Sequence, residues 1–363
     1  MLEFRAIKYK NKTLDFAVVA DSLPVQVQNG QYQLPSEDDF LVKVHAAALN
    51  PVDLIIKNSL SPWLFRGTRG FGMDYSGDIV AIGRQAAAAT GLAVGDRIAG
   101  LYQKPLGAGT ISEYLLVDHK KPEGRNARKL PDSMSYQEGA AYPLVFGTAQ
   151  TMFDTVAKGN SFGKVLVLGA GTAVGRHCVQ LALKVYGAEH VVVTCSARTE
   201  HTIRALGATS VIDYTQHPSI LNPVLEAVKE TGPFDVVLDC CGNSDLFPQM
   251  AAVLKPRGEA GSYVSIVGDT KANFKTSSIG GLVLGSFWVT VRMVRNTLGL
   301  LPYFYSQALL DQGGSWPDKC IKNLSEGKVR VFIDSEYAMA DTHKAVDRLL
   351  SNQASGKVIV NVV

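Results

Sequence analysis

Between Lys164 and Gly268, five short apolar runs alternate with stretches of helical period: 165–169 (VLVLG), 190–195 (HVVVTC), 210–213 (SVID), 235–242 (DVVLDCCG) and 263–268 (YVSIVG). In one stretch Val174, Cys178, Leu181, Ala182 and Val185 recur at i, i+4, i+7, i+8 and i+11, which is one face of a helix. Strands that are apolar on both faces need a sheet covered on both sides, and intervening helices make such strands parallel. The pattern therefore predicts an α/β fold with a parallel sheet.

The first run leads into Gly169-Ala170-Gly171-Thr172-Ala173-Val174-Gly175 and then directly into a helix. A strand–glycine turn–helix sequence gathers backbone amides and the positive end of a helix at one point, which suits a pyrophosphate. Aligned on Gly175, the usual dinucleotide-loop glycines fall at Ala170 and Thr172, so Gly169 and Gly171 would restore the turn in a shifted form. A tight turn without a ligand is the competing reading. The end of the second run discriminates between nicotinamide cofactors. NAD enzymes usually carry an acid there for the ribose hydroxyls. Here the chain reads Thr194-Cys195-Ser196-Ala197-Arg198, with no acid before Glu200. A hydroxyl followed by a guanidinium suits a 2′-phosphate, so the cofactor expected is NADPH. A solvated arginine at a helix start is the alternative.

Up to about Ala140 the pattern is strand-rich, with alternation in 40–49 and 111–117, a short apolar run at 78–83, and punctuation by Pro51, Gly67, Gly70, Gly72, Gly95 and Gly109. Ser135 and Glu138 are spaced as a capping box. After about residue 305 the chain turns polar, then ends in a helix at 341–351 and an apolar strand, KVIVNVV. A chain of 363 residues with 46% hydrophobic and 19% charged residues suits two domains. A net charge of +3, with no basic stripe, gives no basis for nucleic-acid binding. The five cysteines begin only at Cys178 and form no framework, as expected of reduced intracellular thiols. The N-terminus lacks an apolar leader, which favours a cytoplasmic protein. Arg5, Lys8, Lys10 and Lys12 give a faint mitochondrial-presequence bias, but the alternation there reads better as a strand; the sequons at Asn11 and Asn323 are expected to be idle.

Distributed motifs complete the picture: Asn50-Pro51-Val52-Asp53, Gly72-Met73-Asp74-Tyr75-Ser76-Gly77, Gly95-Asp96-Arg97-Ile98, Gly147-Thr148-Ala149, Asp239-Cys240-Cys241-Gly242, Ser265-Ile266-Val267-Gly268 and Gly356-Lys357-Val358-Ile359-Val360. In this order they resemble the medium-chain dehydrogenase/reductase superfamily along essentially the whole chain. The resemblance is to its zinc-free, quinone-oxidoreductase-like branch, and most to budding-yeast members associated with lipid droplets. It implies a GroES-like β-rich catalytic domain of residues 1–145 with 306–363, and a Rossmann dinucleotide-binding domain of residues 146–305. It implies that Asn50 faces the substrate oxygen, that Thr148 lies near the nicotinamide, and that Cys241, Gly242, Ile266 and Val267 line its path. Asp53 is implied to be structural. Together with the loop residues Gly169, Gly171, Thr172, Ala173, Val174 and Gly175, and with Ser196 and Arg198, these make the expected cofactor site.

Zinc members of the superfamily place a cysteine and a histidine where this chain has Ala48-Leu49-Asn50 and Gly72-Met73-Asp74, so no zinc is expected. His45 reads as an ordinary surface or core histidine. Cys240 and Cys241, adjacent in a strand, should point to opposite faces. The tyrosine that several quinone reductases carry after Asn-Pro-x-Asp is missing from Leu54-Ile55-Ile56-Lys57-Asn58, which opens the substrate class and leaves Lys57 as another polar group. The expected activity is hydride transfer from NADPH to a quinone, an enone or a related carbonyl compound; the alternative is an NADPH-binding protein with little turnover, acting in stress responses or at lipid surfaces. The apolar segment 279–305 is interrupted by Arg292 and Arg295 and is too short to span a bilayer. It reads either as a last strand with a homodimer interface or as a face lying on a lipid surface, with Phe287, Trp288 and Tyr303–Tyr305 inserted and Arg292 and Arg295 near headgroups.

Overall fold

The computed structural model describes residues 1–10, 15–59, 67–104, 107–157, 161–270, 273–280, 286–310 and 314–363; Asn11, Lys12 and positions 281–285 of the apolar segment lie outside them. Six parallel strands form the sheet expected from the alternation. Their spatial order is Ser210–Asp213, His190–Cys195, Lys164–Leu168, Val236–Asp239, Ser262–Ser265 and Phe304–Gln307. The first strand in sequence is central and the order reverses beside it, so the crevice for a ligand opens at the carboxyl ends of Lys164–Leu168 and its neighbours. The central strands are buried on both faces, which is why they read as unbroken apolar runs.

The remaining strands form an antiparallel-rich unit. Asp39–Leu49 pairs with Asp74–Ile82, with Tyr114–Asp118 and with the C-terminal strand Lys357–Asn361. Register matters here: Ala48 lies opposite Asp74 and also opposite Ile359, and Leu49 lies opposite Val358. Three chain segments far apart in sequence thus deliver Asn50, Asp74 and Lys357 to one place. The capping box at Ser135 and Glu138 forms and opens the Tyr136–Ala141 helix.

The polar stretch after 305 hides a helix, Trp316–Ser325, whose Trp316 and Cys320 are buried. A Cβ at Gly147 would lie 2.7 Å from the Trp316 ring, so the glycine of Gly147-Thr148-Ala149 admits that ring.

In the apolar segment, Phe287–Thr297 is a helix and Phe304–Gln307 the edge strand. Phe287 and Trp288 are exposed, as either reading of this segment requires. Arg292, Tyr303 and Tyr305 instead turn inward: Arg292 pairs with Asp269 and stacks on Phe247, and both tyrosines are buried. Among the described residues no helix is long and apolar enough to cross a membrane.

Candidate cofactor cleft and the buried Asn50 cluster

Parallel register brings the chain ends of the sheet together. Leu168 is level with Asp239, and Asp239 with Ser265. The glycine loop therefore stands beside Cys241–Gly242 and Ile266–Val267. Gly169 has φ +74°, and a Cβ there would sit 2.6 Å from that of Cys241. A Cβ on Gly175 would meet the Gly169 carbonyl oxygen at 2.3 Å, and one on Gly171 the Thr199 hydroxyl at 2.8 Å. Each glycine of the shifted triplet thus permits a close approach. Ala170, at a position where glycine is usual, is buried in the core, and its amide donates to the Thr194 carbonyl. Thr172, at the other, caps the Ala173–Lys184 helix by accepting from the Gly175 amide at 3.0 Å. That leaves the Ala173 and Val174 amides, which have no acceptor within a helix that begins there, at its positive end.

Asp239 organises the next turn. Its carboxylate accepts from the amides of Cys241, Gly242 and Asn243 and from the Tyr263 and Ser265 hydroxyls. Burial holds its carboxyl above the usual range, although these donors oppose the shift. Gly242, at φ +81°, turns the chain sharply. The strand ends at Asp239, so Cys240 and Cys241 lie just beyond it and not within it as expected; Cys240 is buried, with its Sγ 3.7 Å from that of Cys178, and Cys241 is half-exposed. Ile266 and Val267 are half-buried, and the Val267 amide donates to Ser265. Ser196 begins the Ala197–Ala205 helix, half-buried and without a capping bond of its own. Arg198 is exposed and donates to the Gln353 carbonyl. Thr148, 8% exposed, donates to the Leu144 carbonyl.

Asn50 is completely buried. Its Nδ2 donates to Asp74 Oδ2 at 2.8 Å, and its Oδ1 accepts from Lys357 Nζ at 2.5 Å. Lys357 also donates to the same Asp74 oxygen and to the Leu49 carbonyl. Asp74 Oδ1 accepts from the Leu144 amide, at the start of the helix that carries Thr148. Asp53 Oδ2 accepts from the Asn50 amide at 2.7 Å, and burial pushes its carboxyl up to about 7. Lys57, further along the same helix, is buried, and desolvation lowers its ammonium. His45 pairs with Asp78 and stacks on Tyr136, away from this cluster. The organising roles of Asp74, Lys357 and Asp239 escape a reading by local motif. For Asp239 and Lys357 the available signal was a lone charge at the end of an otherwise apolar strand, where an unpaired charge is costly.

A family model described as the alcohol dehydrogenase GroES-like domain matches residues 36–123, and one described as zinc-binding dehydrogenase matches 206–360. Protein YIM1-2 of Lachancea thermotolerans is 31% identical over 373 residues, covering 99% of this chain and 98% of that protein. The chain belongs to the medium-chain dehydrogenase/reductase superfamily. Protein YIM1 of Saccharomyces cerevisiae strain RM11-1a is another such relative, 30% identical over 97% of this chain and 98% of its own length. This medium-chain dehydrogenase/reductase shares its fold with the quinone oxidoreductase of Coxiella burnetii, at a TM-score of 0.74 with 22% identity and all of both chains covered. A mycobacterial protein solved with NADPH matches at a TM-score of 0.69 with 19% identity, covering 99% of each chain.

The residues present fit a nicotinamide dinucleotide: the glycine cradle closes wherever a Cβ is added, and the Ala173 and Val174 amides of the helix that follows it have no acceptor within that helix. They do not fit a catalytic zinc. Where the zinc members' ligands stand, this chain offers an amide already held by an ammonium and a carboxylate, together with Met73. Among the described residues no three His, Cys, Asp or Glu side chains are grouped to hold a metal.

Proposed function

We propose that this protein is an NADPH-dependent, zinc-free reductase of a quinone, an enone or a related carbonyl compound. The observation that carries the reading is the end of the second strand, where Ser196 and Arg198 stand in place of a ribose-binding acid beside the shifted glycine cradle. The bound nicotinamide would supply a hydride to the substrate carbon. The protein's part is placement: the Ala173 and Val174 amides hold the pyrophosphate, and the Asp239-braced turn and Ile266–Val267 shape the nicotinamide side. The Asn50 amide donates to Asp74 and also supports the Asp53 carboxylate. By exchanging one of these bonds it would become the donor for an oxygen that gains negative charge as hydride arrives. The test is NADPH consumption by purified protein against a panel of quinones and enals. Turnover that survives Asn50→Ala in a folded variant would remove Asn50 from the chemistry. Arg198→Ala should weaken NADPH at least about tenfold more than NADH, the scale of a charge-assisted bond; equal affinity of the parent for both cofactors would overturn the NADPH assignment.

A second reading, a protein that holds NADPH but turns over little, is favoured by the burial of Asn50 and by the engagement of both ends of its amide. Tight NADPH binding with no turnover across the panel would select it.

A further inference from the structure

Arg176 is the first residue after the glycine cradle and is only 2% exposed, yet its guanidinium forms no salt bridge with any described carboxylate. Its Nη2 donates to the Ser355 hydroxyl at 2.5 Å, its plane lies over the Phe332 ring, and its Nε is buried without a partner. A buried charge with an unsatisfied donor costs several kcal/mol unless an anion compensates it, to order of magnitude. The nearby acid is not available. Asp334 takes two bonds from Arg348 and one from the Ser355 amide, and Arg348 holds its carboxyl down at about 2. Arg198 reaches the same turn from the next helix, donating to the Gln353 carbonyl, and burial, with the charge of Arg198 second to it, disfavours the Arg176 cation. The two helix starts are held side by side, because the Gly169 and Ala170 amides both bond to Thr194. Two guanidiniums without a carboxylate partner among the described residues, Arg176 buried and Arg198 exposed, therefore converge on the turn 353–355, next to the strand end where a cofactor's ribose is received.

We propose that Arg176, Arg198 and the Ser355 hydroxyl form one site for the 2′-phosphate of NADPH, built across the two parts of the chain. The inference rests on the NADPH reading and extends it. With a small outward turn of the Arg176 side chain, a dianionic phosphate would neutralise both guanidiniums and tie the turn between the last helix and the last strand to the cofactor. Cofactor choice would then be set from the C-terminal segment as well as from the second strand of the parallel sheet.

The experiment is equilibrium binding, by fluorescence or calorimetry, of NADPH, NADH, 2′,5′-ADP and 5′-AMP to the full chain. Arg176→Met keeps the bulk over Phe332 and removes the charge. It should weaken NADPH and 2′,5′-ADP at least about tenfold, with NADH and 5′-AMP within about twofold, while Arg176→Lys retains part of the preference. Equal weakening of NADPH and NADH would assign Arg176 to the pyrophosphate or to structure and overturn the proposal, as would no change at all. If Arg176→Met does not fold, Ser355→Ala serves the same purpose: a selective loss of a few-fold for the 2′-phosphorylated ligands supports the site, and unchanged affinities reject it. A parent that binds NADPH no better than NADH would sink the NADPH reading itself. A parent that prefers NADPH and loses the preference in Arg198→Ala, but not in Arg176→Met, would sink only this extension.

Discussion

Lys357 and Asp74 are 3% and 0% exposed and lie 2.8 Å apart, with Asn50 bonded to both. Removing one member of such a pair strands the other charge in the core. Lys357→Met should therefore cost about 3–5 kcal/mol in urea unfolding, and adding Asp74→Asn should recover much of it. If the double variant were no more stable than the single one, the pair would not be the reason for the loss. Asp53 acts in the opposite sense. Its carboxyl titrates near 7 when folded because burial penalises the anion, against about 3.8 in the unfolded chain. The folded state binds this proton more tightly, so its contribution to stability is full below pH ~4 and is lost as pH rises through about 7. Asp53→Asn should remove that part of the pH dependence. Relative to the parent, the variant should gain about 2–4 kcal/mol between pH 4.5 and pH 8. Urea melts of both proteins at the two pH values measure it, and parallel pH profiles would refute the assignment.

At the scale of elements, the glycine loop and its helix were legible because local chemistry determines them. The runs at 190–195 and 210–213 are strands over those same residues, and the Ser135 capping box opens its helix as its spacing requires. The cradle can be tested directly. Gly175→Ala would press a methyl group to within 2.3 Å of the Gly169 carbonyl oxygen, so either the helix start or the strand end must move. Expected are a loss of stability of about 1–3 kcal/mol and loss of dinucleotide binding; a variant that binds NADPH as the parent does would show that the cradle is not the pyrophosphate seat. The Trp316–Ser325 helix was not legible. Its buried positions Trp316, Cys320 and Asn323 do fall at i, i+4 and i+7, but only two of them are apolar and charges stand between them, so the face is too weak to read without the packing of Trp316 against Gly147. The Asn50 cluster was hidden for a related reason. Its members are brought together by strand register between residues some three hundred positions apart, which no local pattern encodes.

For the whole molecule, the helix Phe287–Thr297 has one anchored side and one bare side. Val289 is buried, Arg292 is locked against Asp269 and Phe247, and Asn296 accepts from the Tyr305 amide of the edge strand and from Arg257. On the bare side Phe287, Trp288, Val294 and Leu298 are each more than half exposed. With Arg292 turned inward, Arg295 is left as the exposed cation of this helix, so headgroup attraction counts for less than the sequence suggested and apolar contact for more. Burying such a face is worth roughly 25 cal/mol per Å², and the isolated chain leaves that gain unrealised. Phe287→Ser/Trp288→Ser should therefore leave the stability of the dilute monomer within about 0.5 kcal/mol of the parent, because neither ring is buried. The same change should reduce any self-association seen in sedimentation and any flotation with liposomes. Sedimentation and flotation on the one pair of proteins separate the two occupants: loss of dimer with flotation unchanged identifies a second copy, and loss of flotation by a folded protein identifies a lipid surface. A fall in stability well beyond 0.5 kcal/mol at low protein concentration would show instead that the two rings pack within the chain and that the helix has no bare side to offer.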